Sequence, residues 1–167
     1  ALLEHAGITS AEETGRGLDH GVFIPYMLAF EQADIPVVEL SLQKALDPAE
    51  HLAIGAALAP LRAENVLIVG TGLSYHNLSH FMNGSPTTNA PAKEFDAWLT
   101  RSVCAPPPER NQRLTDWAHA PGARLCHPRE EHLLPLMIAA GAAGQDYGQQ
   151  IYSDTVLGKA LSGYRFG

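Results

Sequence analysis

Cysteine, basic side chains and long apolar runs are all scarce in this 167-residue chain, and each scarcity excludes a class of protein. Two cysteines, Cys104 and Cys126, are too few for a disulfide scaffold and suit a reducing compartment. They also lack the spacing of a metal site. Lys and Arg total 11 against 18 Asp and Glu, which leaves a formal net charge of −7. Phosphate binding needs clustered cations, so no nucleic-acid surface is expected. No apolar run approaches the roughly 20 residues that span a bilayer, and no leader-like segment is visible. The expectation is a cytoplasmic protein without membrane contact.

What is present fits an ordinary globular chain: 46% hydrophobic and 17% charged residues, with length for a single domain over 1–167 and a real core. Strand-like and helix-like blocks alternate. Ile35 to Leu42 is a β-branched run that reads as a buried strand, and Val66 to Gly70 is the clearest strand of all. Between them, Asp47-Pro48-Ala49-Glu50 opens a helix to about Ala63, with Asp47 as N-cap, Pro48 in the first turn and Glu50 closing a capping box. Pro91 to Val103 reads as a helix buried through Phe95, Trp98 and Leu99. Pro106-Pro107-Pro108 is expected to be extended, Leu114 to His119 helical, and Arg129 to Ala143 one long apolar helix. Ile151 to Val156 and Ala160 to Phe166 read as closing strands. The alternation predicts an α/β fold: a central mixed, largely parallel sheet between helices, in three layers.

Three segments place histidine where a structural segment has little need of it. Imidazole changes charge near neutral pH and is the commonest metal ligand. Asp19-His20-Gly21 sets an acid beside an imidazole and a small residue; a polar turn capping a helix explains the same three residues. Tyr75-His76-Asn77 follows the clearest strand, where α/β folds carry functional loops, although ordinary turn chemistry also accounts for it. His80 follows at i+4 and is taken as surface.

His127-Pro128-Arg129-Glu130-Glu131-His132 is the richest of the three. A helix start explains its acids but not His132 ahead of an apolar helix, and Pro135 is expected to open that helix beside His132. His5, His51 and His119 are expected to be solvated.

In order and spacing these motifs resemble the class III extradiol ring-cleaving dioxygenases, in the branch of the DOPA 4,5-dioxygenase-like proteins. The carriers are Gly17-Leu18-Asp19-His20-Gly21, Ala33 to Ser41, Leu67 through Leu78, Glu131-His132-Leu133-Leu134-Pro135-Leu136 and Leu161 to Phe166, nearly the whole chain. The resemblance implies O2-dependent opening of a catechol-type ring at a non-haem Fe(II) site, with zinc as the alternative ion. It implies His20 and His76 as acid–base residues, and Asp19, Tyr75 and Asn77 beside the substrate. His132 and Glu131 would be metal ligands, and His76 could ligate instead.

Members of the family also carry an N-terminal His-Gly-Ser-Pro-like motif and a second histidine after a strand. Neither occurs here. The chain is therefore expected to be the C-terminal part of a longer domain, incompetent alone and completed by an N-terminal segment or a second chain; self-association is a further expectation. A non-catalytic metal- or partner-binding relative of the same fold and a zinc hydrolase are the competing readings.

Overall fold

Helices form along the chain, but of the expected strands only the last two form and pair with each other in the computed structural model. It describes residues 1–83 and 86–167. In chain order the helices are α1 (Leu2–His5), α2 (His20–Ala29), α3 (Pro48–Leu58), α4 (Leu78–Asn83), α5 (Asn89–Val103), α6 (Pro107–Thr115), α7 (Ala123–Cys126) and α8 (Leu134–Ala142). Strands β1 (Gly148–Val156) and β2 (Lys159–Phe166) form an antiparallel hairpin with Val156 opposite Lys159 and a bulge between Gln150 and Tyr152. The architecture is mixed α/β.

Local chemistry sets several boundaries. The Asp47 side chain accepts from the Glu50 amide at 2.9 Å, so the expected N-cap of α3 forms. The helix then tightens into a 3-10 turn over Ala59–Glu64. Helix α5 buries Phe95 and Leu99 completely, with Trp98 packed at the edge of the same core. Leu114, Trp117, Cys126, Leu134 and Met137 complete the centre of that core. Helices α3 and α8 lie against each other through small residues. A Cβ on Gly55 would strike the Ile138 carbonyl, and one on Gly141 the Leu52 carbonyl.

Four expectations are corrected. Residues 35–42 and 66–70 form no strand, so the expected central parallel sheet is not formed among the described residues. Their apolar side chains stay in water instead, with Val38 95% and Leu67 76% exposed. Pro107 and Pro108 begin α6 rather than an extended connection, because the first turn of a helix needs no amide donor. The helix expected from Arg129 starts only at Leu134; residues 128–133 are turns and bends, and Pro135 sits in the first turn rather than kinking a helix in progress. Finally, His51 is buried, not solvated: its Nδ1 lies 2.6 Å from the Asp47 carbonyl and its Nε2 accepts from the Gln43 amide.

Candidate active site

Helix α2 begins at His20 because Asp19 caps it, accepting from the Gly21 amide at 2.8 Å. The Asp19 amide in turn donates to Glu39 Oε2 at 3.0 Å, which ties the segment 35–42 to this helix start. Hydrogen bonding to Glu39, with smaller help from Gly21, lowers the Asp19 carboxyl below its ordinary range. His20 is exposed, and its charge is felt at His132.

The loop after residues 66–70 lies directly on the segment between α7 and α8. At Gly72 a side chain is excluded, since a Cβ would collide with the His132 carbonyl. The next amide, Leu73, donates to that same carbonyl at 3.0 Å. Further on, the His76 amide donates to the Cys126 carbonyl at 3.0 Å. These contacts bring two imidazoles face to face: the rings of His76 and His132 stack with centroids 3.4 Å apart and planes 11° from parallel. Both are partly exposed. Burial, then the charge of His76, lowers the His132 pKa. Two cations stacked this closely would repel, so the pair favours at least one neutral ring.

The remaining expected residues divide into two groups. Glu131 lies beside the pair, half-buried, with one Oε2 that accepts no hydrogen bond and approaches Arg129 Nε at 3.4 Å. Tyr75 and Asn77 are buried in the loop. Tyr75 points its hydroxyl at His80 Nδ1, 3.1 Å away, and burial pushes its pKa up to about 12, so it stays a donor. His80 is thus half-buried and partnered rather than a free surface group. Asn77 donates to the Leu125 carbonyl at 2.7 Å and accepts from Ser79 Oγ.

Sequence reading assigned no role to His127, although it lies in the richest motif. The residue is fully buried between Phe95 and Trp117, and its Nε2 lies 3.0 Å from the Ser74 carbonyl. Burial holds its pKa down at about 4, so it is neutral and donates to that carbonyl. One signal in the sequence could have found it: Pro128 has no amide to offer the facing loop, which leaves the neighbouring side chain as donor.

A metal ion fits part of this arrangement. The buried His132 Nδ1 has no hydrogen-bond partner, and Glu131 Oε2 accepts no hydrogen bond although Arg129 Nε stands 3.4 Å away; a metal cation would satisfy both atoms. Among the described residues no three His, Cys, Asp or Glu side chains converge as a complete ligand set.

The family profile described as the catalytic LigB subunit of aromatic ring-opening dioxygenase matches residues 1–165. The chain belongs to this family. It is similar to the dioxygenase tasH of Hapsidospora irregularis, 40% identical across 93% of this chain and 51% of that protein. It is also similar to the 4,5-DOPA dioxygenase extradiol of Beta vulgaris, 38% identical across 99% of this chain and 62% of the relative. Among solved structures, an uncharacterized Escherichia coli K12 protein, JW3007, superposes with a TM-score of 0.77 at 27% identity, covering 99% of this chain and 70% of the other. The chain spans about half to three-fifths of the length of the curated relatives it matches. No helix among the described residues is long and apolar enough to cross a membrane.

Proposed function

We propose that this chain carries one share of the active site of an extradiol dioxygenase that opens a catechol-type ring with O2. The observation that supports this most strongly is the stacking of His76 on His132, brought together from two separate segments. Such a pair, partly open to solvent, suits proton transfer to and from a bound hydroxyl. His20 and His76 take the acid–base roles: one removes a proton from a ring hydroxyl, and an imidazole returns it to the product. Asp19 fixes His20 at the start of α2.

His132 and Glu131 are the residues that would hold the ion, through the two buried atoms left without a hydrogen bond. Iron(II) is our assignment for the ion, zinc the competitor. Iron held there supplies the redox chemistry with O2 and a chelating centre for adjacent hydroxyls. We place the protein in the cytoplasm.

We further propose that the rest of the ligand set comes from a segment supplied by the part of the relatives that this chain does not match. A groove of about 540 Å³ runs from His132 between residues 66–70 and β2, floored by Leu136 and Ala139 of α8. Along it the amides of 67–70 have no backbone partner among the described residues. An extended segment lying there would pair with those amides, cover the apolar wall and end beside His132.

The test is oxygen uptake by the complete protein loaded with Fe(II). His20→Ala and His76→Ala should each lower turnover about 10²-fold or more with the fold retained. Failure of simple catechols, DOPA, gallate and protocatechuate all to drive uptake would reject the reading. Tight zinc without oxygen chemistry would point to a binding relative, and ester hydrolysis independent of O2 to a hydrolase.

A further inference from the structure

The loop carrying His76 is fastened to the segment 125–132 by four hydrogen bonds in antiparallel order. Leu73 meets His132, Ser74 meets His127, His76 meets Cys126, and Asn77 meets Leu125. Two of these rungs are backbone to backbone. The other two are made by side chains, and at the His127 rung the backbone has no donor to give. The His127 amide is already spent on the Ala123 carbonyl at 2.8 Å, and Pro128 has none. Without the His127 ring the buried Ser74 carbonyl would lose this partner, at the usual cost of a stranded polar group.

We propose that His127 and Asn77 are positioning residues that latch this loop and so hold the ring of His76 against that of His132. Each is seated for the task. The His127 ring is fully buried, its centroid 5.4 Å from that of Phe95 and 5.9 Å from that of Trp117, so its Nε2 has one direction to point. Asn77 uses both ends of its amide: Nδ2 donates to Leu125, while Oδ1 accepts from Ser79 Oγ and lies 3.4 Å from the His80 amide. The two side-chain rungs flank His76 on either side, and its own amide makes the rung between them. The His76 ring is consequently fixed through its backbone rather than by contacts at its edge. Asn77 thereby acts on the site from beneath the loop.

That the His76–His132 pair performs chemistry rests on the function proposed above; the latch itself does not, and it can be read without turnover. The experiment is solution NMR on this chain with three variants: His127→Gln, which keeps an amide N–H at similar reach, His127→Leu, and Asn77→Ala. In the parent protein, ring protons of His76 and His132 should show direct cross-relaxation, and the His76 amide should be protected from hydrogen exchange. His127→Leu and Asn77→Ala should lose the ring-to-ring signal and speed exchange at His76 by about tenfold or more, with the core amide of Leu99 still protected. His127→Gln should restore both signals.

The latch is overturned if His127→Leu folds with the ring signal and His76 protection intact, or if His127→Gln behaves like His127→Leu. Should His127→Leu not fold, Asn77→Ala decides: unchanged signals there reject the proposal. Intact latch behaviour together with absent oxygen uptake would reject the dioxygenase reading alone.

Discussion

His127 is buried as a neutral ring, and that makes the fold sensitive to acid. Its folded pKa is held at about 4, against 6.5 for a free imidazole, so on acidification the unfolded chain takes up the proton first. Stability is therefore full above about pH 6.5 and falls as pH drops toward 4. Urea unfolding should report a loss of about 2 kcal/mol between pH 7 and pH 5 from this group. His132, lowered chiefly by burial, acts in the same direction. His127→Gln should flatten most of the slope. Arg110 offers a second test at this scale. It is fully buried and donates to the carbonyls of Ala140, Gly144 and Asp146 at the end of α8, with its guanidinium over Phe166. Arg110→Met should cost about 3 kcal/mol in chemical denaturation, because three carbonyls are stranded together. The histidines of the site were legible from motif and position. Arg110 and His51 were not, since burial of a polar side chain depends on which distant carbonyls the fold brings to it.

At the scale of elements, the decisive contact is the crossing of the strand-end loop over the start of α8. Gly72→Ala should push the loop off the His132 carbonyl, break the Leu73 hydrogen bond and cost about 1–3 kcal/mol, with loss of the ring-to-ring signal between His76 and His132. Urea unfolding beside the same NMR experiment checks both effects. Helix caps were readable in advance: Asp47 accepts from the residue expected, and the turn at Asp19 caps α2. The closing hairpin was also readable, from two alternating runs around Leu157-Gly158. Residues 35–42 and 66–70 show the limit of such reading. Their β-branched pattern favours a strand, but a pattern cannot supply the neighbouring strand, and without one they form no strand here. The late start of α8 has a similar cause. The proline and acids of 128–131 look like a helix start, yet the chain there turns and bends to bring His132 to the loop.

At the scale of the whole molecule, many large apolar side chains are exposed among the described residues. Helix α2 has no buried residue although it is apolar all round; Met27 is 67% and Leu28 79% exposed. With Val38 and Leu67 this marks a surface built to be covered. The chain alone should bind a hydrophobic dye strongly, and the signal should fall when the chain is part of the complete protein; equal dye binding in both would contradict a completing segment. Family membership was legible because the motifs keep their order through the chain. The central claim is that these histidines serve a ring-opening dioxygenase. The most direct measurement is turnover of a catechol by the complete Fe(II)-loaded protein under isotopically labelled O2, read by product mass. The account predicts a ring-opened product with one labelled oxygen retained in its new carboxylate and the other in a carbonyl that exchanges with water; a product with no labelled oxygen, or no oxygen consumed with any catechol, would contradict it.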